Sequence, residues 1–365
     1  MKDSSIYKKR GLKMELFTVG PVACHPKVLD EMNKQMFSHR SVEYRELHRE
    51  LVGRLEDFLE FDEKVFLFPS SGSGVMETSV RNCVEEKMLC CINGAFGERY
   101  DEVAESNGVE VEKLETESGK PLTPEILDEK LNQEPDVEAV SITLNETSIG
   151  LLNPLDELSE VVNEHDKLLF VDAVSGMGGT DIKAGEWGLD VCFASSQKCF
   201  GVPPGLAVAS VSEDALEKSN NMDEKGWYFD LKRYEDYDER KSGTHMTPPI
   251  PQILALNKRL EMIEEVGKEQ HFQNYKERSQ MVREGLEDSG LTLYPEEGYE
   301  SPTVSCVNAP EEMTGIEVYQ GMREKGFELA KGYGDLDITT FRIGNMGHVT
   351  EEKIKRMLGA LSDVV

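Results

Sequence analysis

Three short stretches carry side chains that could do chemistry together. The first is VFLFPSSGSGVME at residues 65–77, an apolar run, a Gly/Ser turn and a helical pattern that starts at once. Backbone N–H groups of such a turn, at a helix N-terminus, cradle a phosphate. Gly72 and Gly74 supply the first two glycines of the dinucleotide pattern G-x-G-x-x-G. Glu77 fills the third place, where close helix packing needs a small residue. No Gly-Lys-Ser/Thr follows, so a monophosphate suits the turn better than a nucleotide triphosphate. The second stretch is KLLFVDAV at 167–174, whose apolar run ends on Asp172. Alone, Asp172 reads as a helix cap or a solvated loop residue. The third is SSQKCFGVPPG, where Lys198 follows the apolar run CFASS and precedes a Gly/Pro-rich turn. Alone, Lys198 reads as a surface residue.

Together the three meet the needs of one cofactor. Pyridoxal 5′-phosphate requires a lysine for a Schiff base, an acid to keep its pyridine nitrogen protonated, and a cradle for its phosphate. Asp172 and Lys198 both follow strand-like runs, at the carboxyl ends where ligands of open α/β sheets gather.

The elements that must position them alternate. Apolar runs at 65–69, 88–92, 109–114, 138–144, 167–174, 190–196 and 206–211 are separated by helical patterns near 75–86, 97–107, 123–133 and 154–165. Continuous apolar strands between helices mean a mostly parallel sheet covered on both faces, with about seven strands. Ahead of it, residues 26–60 carry helical periodicity. After Pro248-Pro249-Ile250-Pro251 the pattern changes. A long helical run at 252–289 leads into short strands near 291–294, 303–307 and 340–343, with helices near 315–325 and 350–363. The expectation is α/β: an arm at 1–19, a large domain at 20–250 and a smaller α+β domain at 251–365.

Composition narrows the class. The 365 residues hold 40 Lys plus Arg against 70 Asp plus Glu, a net charge of −30. Such a surface repels phosphate backbones, so nucleic-acid binding is not expected; adaptation to a salt-rich cytoplasm is one reading of the excess. The seven cysteines form no C-x-x-C pair and no zinc spacing. Met1 to Met14 is polar and basic without an apolar core, and no apolar run approaches the ~20 residues that span a bilayer. The expectation is a soluble, cytoplasmic protein without a metal.

The pieces SSGSGVMET, INGAFGERY, NETSIGLLNP, FVDAVSGMGG, SSQKCFGVPPG and FRIGNMG occur in that order. With them, nearly the whole chain resembles the class V aminotransferases of the fold type I pyridoxal-phosphate enzymes, in particular the alanine–glyoxylate and serine–pyruvate group. The resemblance implies that Lys198 is the Schiff-base lysine and the base of the proton shift, and that Asp172 holds the pyridinium proton. It places Ser73, Gly74, Val75 and Gln197 around the phosphate, Phe96 on the ring face and Thr147 near the phenolic oxygen. Arg342 would clamp the substrate α-carboxylate with its bidentate fork. Thr244 to Thr247 would reach a neighbouring subunit's phosphate in a homodimer, Thr247 matching best; the family's usual Tyr is missing from this segment. The implied reaction moves an amino group from alanine or serine to glyoxylate or pyruvate.

Four rivals are weighed. An aspartate or phosphoserine donor needs a second cation, for which Arg40, Arg45 and Arg240 are candidates. A cysteine desulfurase usually carries a His before the lysine and a mobile cysteine loop; here Gln197 precedes Lys198 and Cys306 lies in the strand-like TVSCV. A nucleotide-binding dehydrogenase is opposed by Glu77. A catalytically silent member of the fold would not need all the matched chemical groups. Cys199, beside the lysine, reads as packing, and His25, His39 and His348 have no convincing role as a base.

Overall fold

The computed structural model describes residues 14–223 and 225–365; most of the expected N-terminal arm lies outside them. Its centre is a seven-stranded sheet of β1 (Lys64–Phe68), β2 (Lys87–Ile92), β3 (Glu110–Glu115), β4 (Ala139–Thr143), β5 (Leu168–Asp172), β6 (Val191–Ser195) and β7 (Ala207–Val211). The order across the sheet is β1-β7-β6-β5-β4-β2-β3, and β7 alone runs against the rest. The apolar runs are continuous because both faces are covered. Val65, Leu67, Val140, Ile142, Leu169 and Val171 enter one core, while Phe66, Phe68, Phe170, Val191 and Phe193 enter the other. Burying such a side chain contributes about 1.5–3 kcal/mol.

The helices Gly72–Cys83 and Ala95–Ser106 cover the second face through Val75, Met76, Val80, Tyr100 and Ala104. The first is covered by Val42–Leu59, Pro124–Gln133 and Leu155–Glu164. The helix Ile250–Val266 packs Ile253, Leu256 and Leu260 into that same core. The expected single run at 252–289 is two helices, because Gly267 adopts φ +91° between Val266 and Lys268. The periodic stretch 26–60 is likewise split into Pro26–Glu31 and Val42–Leu59, with Met36 left exposed.

A three-stranded antiparallel sheet, β8 (Val304–Asn308), β10 (Thr340–Gly344) and β9 (Ala330–Lys331) in that order, lies in the C-terminal part. The helices Lys268–Asp288, Gly315–Glu324 and Glu351–Ser362 close its core around Val307, Phe341 and Ile343. Thr314 and Glu317 begin the second of these with a reciprocal capping box. The strand expected at 291–294 is only a bridge from Leu293 to Val307. Near the N-terminus, Glu15–Leu16 pairs with Phe327–Glu328, and the Phe17 carbonyl accepts from the Gly344 N–H. No helix among the described residues is long and apolar enough to cross a membrane.

Candidate active site

The carboxyl ends of β1, β2, β4, β5 and β6 share one edge of the sheet, as parallel strands require. Asp172 closes β5 and is fully buried. Its carboxylate accepts from the Val174 N–H at 2.8 Å. Burial pushes its carboxyl up to about 7; the Glu146 charge adds to the rise, and Lys198 and Arg99 oppose it. Lys198 follows β6 by three residues, and its Nζ donates to the Val19 carbonyl at 2.7 Å. Burial holds this amine below the usual lysine range, against the pull of Asp172. The neutral, nucleophilic form is thereby made easier to reach.

The helix Gly72–Cys83 starts directly after β1, and its N-cap Ser71 makes no side-chain capping bond. The Gly74 N–H donates to the Ser71 carbonyl at 3.0 Å, and the N–H groups of Gly72 and Ser73 remain available. A Cβ at Gly72 would overlap Val174 and come within 3.0 Å of Ser195 Oγ, and one at Gly74 would lie 2.8 Å from Ser70. Ser195 Oγ, beside the Gly72 backbone, and Gln197 Oε1 are buried without a hydrogen-bond partner among the described residues. Open backbone donors, an unpaired Ser195 hydroxyl and glycines packed too closely to carry a Cβ fit a phosphate held against the helix start. Ser73 is exposed there, whereas the Val75 side chain is fully buried, so only its backbone can serve the cradle.

Phe96 stands at the start of the next helix, its ring centroid 5.9 Å from Lys198 Nζ. Arg342, in the middle of β10, is buried; its Nη1 donates to the Thr147 carbonyl and its Nε to the Lys331 carbonyl, each at 2.9 Å. Neither acceptor is charged, and no carboxylate pairs with Arg342 among the described residues. The Thr147 hydroxyl donates to Ser175 Oγ at 2.7 Å. Lys198, Asp172, Phe96, Thr147, Arg342, Gln197 and the 72–75 turn thus come together at one edge. Thr247 is exposed and its hydroxyl bonds to no described residue; Thr244 is buried and donates to the Met246 carbonyl. Arg40 and Arg45 line a cavity of about 160 Å³ with Tyr237, Lys241 and Thr244, and Arg240 pairs with Asp236.

Three residues escaped the sequence reading. Glu146 is completely buried, accepting from the Phe96 and Gly97 N–H groups with one oxygen and from the Ser148 N–H and hydroxyl with the other. A Cβ at Gly94 would overlap it. An acid inside the NETSIG turn after an apolar strand was the signal. Arg99 and Tyr333 left none; they meet over Phe96 only in the fold. Cys199 is buried, its thiol donating to the Ser175 carbonyl and pushed up to about 12 by burial. Cys306 is buried inside β8, so it is no mobile-loop nucleophile.

An amine, a buried acid, a helix N-terminus with open N–H groups and a guanidinium without a carboxylate partner among the described residues, at one strand-end edge, suit pyridoxal phosphate and an amino acid. The sequence pattern of the family described as Aminotransferase class-V matches residues 97–336. An uncharacterized aminotransferase of Methanocaldococcus jannaschii is 33% identical over 357 residues, spanning 96% of this chain and 92% of the relative. The L-aspartate–glyoxylate aminotransferase of Paracoccus denitrificans is 30% identical over 347 residues, 92% of this chain and 87% of its own. Among solved structures, the alanine–glyoxylate aminotransferase of Nostoc sp. superposes with a TM-score of 0.92 at 28% identity, over 100% of this chain and 99% of that one. The chain therefore belongs to the class V aminotransferases and is a transaminase.

Proposed function

We propose that this transaminase uses pyridoxal phosphate to move an amino group from a small L-amino acid, alanine or serine, to glyoxylate or pyruvate in two half-reactions. The observation that carries the reading is the pair Asp172 and Lys198 after adjacent parallel strands beneath Phe96, faced by an Arg342 with no carboxylate partner among the described residues. Glyoxylate is an acceptor of both substrate-named relatives above, which supports the acceptor class.

Bound at this edge, the cofactor supplies a ring that withdraws electrons from the substrate α-carbon. Asp172, a carboxylate without bulk water, is placed to hold a proton on the pyridine nitrogen. Lys198 Nζ carries a proton to and from the substrate carbon, its lowered basicity easing release near neutral pH. The open first-turn N–H groups of the 72–75 turn, with the Ser195 hydroxyl and the Gln197 amide, fix the phosphate. Phe96 covers one ring face and excludes water. Arg342 keeps two N–H directions for its carbonyl partners and the remainder for the α-carboxylate. The site would be shared in a homodimer, with Thr244 to Thr247 serving the neighbouring copy. A cytoplasmic setting is supported by seven free cysteines, six of them buried.

The test is a near-ultraviolet and visible spectrum of protein loaded with pyridoxal phosphate. Alanine or serine should remove the visible band, and glyoxylate or pyruvate should restore it. A protein that takes up no cofactor, or whose band no amino acid changes, would overturn the proposal.

A further inference from the structure

Two histidines that the chemistry at Lys198 leaves unused, His25 and His348, meet in the fold with their rings edge to face, centroids 4.7 Å apart. Cations from four helices gather around them. Lys27 belongs to Pro26–Glu31, Arg259 to Ile250–Val266, Arg278 to Lys268–Asp288 and Lys353 to Glu351–Ser362. The helix Ile250–Val266 packs on both Pro26–Glu31 and Lys268–Asp288. The His348 N–H donates to the Ala23 carbonyl and Lys353 Nζ to the His348 carbonyl, each at 2.8 Å. Arg278 Nη1 donates to the Val349 carbonyl at 2.8 Å, and its guanidinium carbon lies 4.4 Å from the Tyr275 ring centroid. His25 Nδ1 accepts from the Lys27 N–H at 3.1 Å, which puts the proton of the neutral ring on Nε2, free to be given.

The charge of this junction runs against the rest of the chain. With 70 acidic and 40 basic residues, a cation should find a carboxylate easily. Arg259 and Arg278 nevertheless form no ion pair among the described residues. The largest charges felt at His25 are Arg259, Lys27 and Lys353, and those at His348 are Lys353, His25, Arg259 and Arg278, all of them positive. Burial lowers the basicity of Arg259, and the Arg278 charge adds to the fall. Cations drawn together from separate helices repel one another, and a multiply charged anion between them turns that repulsion into attraction.

We propose that this junction binds a phosphate-type oxyanion through Arg259, Arg278, His25 Nε2 and the His348 ring, on elements other than the 72–75 turn. The site does not depend on which amino donor the enzyme uses. It lies where the segments 17–25, 267–275 and 344–350 pass between the seven-stranded and the three-stranded sheet. Tyr275, against Arg278, donates its hydroxyl to the Cys199 carbonyl at 3.0 Å, and Lys198 is the next residue. A bound anion therefore braces the backbone that carries Lys198.

The experiment uses cofactor-loaded protein, so that the helix start at residue 72 is already filled. Phosphate is titrated into wild type, Arg259→Gln and His348→Asn, with potassium chloride holding the ionic strength constant. The expected result is a saturable rise in the wild-type melting temperature of about 3 °C or more. The apparent affinity should be at least about 10-fold weaker in each variant, the range for losing a hydrogen bond to a charged group. Methyl phosphate, run in parallel, separates the sources: tighter binding than inorganic phosphate assigns the site to a phosphorylated metabolite, weaker binding to the free ion. Should the variants fold poorly, wild-type crystals soaked in tungstate give the second measurement, with anomalous density expected between Arg259 and His348. No rise beyond that of potassium chloride, the same affinity in the variants as in wild type, or no tungstate at the junction overturns the proposal and leaves the transaminase reading standing.

Discussion

The Arg342 guanidinium donates to the backbone carbonyl of Thr147, 195 residues earlier in the chain, at a distance of 2.9 Å. That bond joins the small sheet to the turn after β4 and fixes the direction of the fork. Its acceptor is a neutral carbonyl and no carboxylate pairs with the guanidinium among the described residues, although the buried Glu146 charge is felt there.

Replacing Arg342 should therefore act on substrate binding. Arg342→Ala is expected to raise KM for every amino donor, by about 2–5 kcal/mol in binding terms. Arg342→Lys should recover little, because an ammonium cannot span the Thr147 and Lys331 carbonyls in one plane. Steady-state kinetics with two donors checks this, and an unchanged KM in Arg342→Ala would remove the carboxylate role.

Lys198→Ala should abolish turnover while leaving the fold intact. Among the described residues the side chain makes one hydrogen bond, to the Val19 carbonyl, and it belongs to no apolar core cluster. Circular dichroism and the melting temperature should stay near wild type while the rate falls to background.

Asp172 predicts a pH dependence of stability in cofactor-free protein. Its folded pKa of about 7 lies above the ordinary aspartate value. Its contribution is therefore fully present below the unfolded pKa near ~4, is lost as pH rises, and is gone above about 7. Asp172→Asn has no such titration. Its stability relative to wild type should climb across that window by on the order of 4 kcal/mol, read from urea unfolding at several pH values. Loaded with cofactor, the same variant should release pyridoxal phosphate faster than wild type on dialysis.

Glu146 should matter for both stability and rate. Glu146→Ala leaves the Phe96, Gly97 and Ser148 N–H groups without their acceptor inside a buried turn. A cost of about 2–4 kcal/mol is expected in chemical denaturation, since each stranded buried donor carries its own desolvation penalty. Glu146→Gln keeps an acceptor for one pair of donors and should lose less. Because Phe96 is held through its own N–H, kcat should fall in Glu146→Ala more than KM rises.

Much of this arrangement is legible in the chain before it folds. Strands buried on both faces leave continuous apolar runs, and a charge ending such a run marks a carboxyl end, as Asp172 does. What escapes are features decided by partners distant in sequence. The reversed direction of β7 has no local signature. The helix Leu231–Lys241 hides because its buried contacts are few, mainly Leu231 and Tyr234. Gly267 inside a periodic stretch was the available sign of a break. Arg99 and Tyr333 are 234 residues apart, and only the packing of the C-terminal part over the Ala95–Ser106 helix brings them together.

The sheet also ends in a particular way. Among the described residues β3 pairs only with β2, and it exposes Glu110 on one face and Lys113 and Glu115 on the other while Val111 and Leu114 are partly covered. A strand from another molecule docking there would set glutamate beside glutamate before any ladder could form. An in-register parallel copy at this edge is therefore disfavoured by like charge, which discourages templated growth of the sheet from β3.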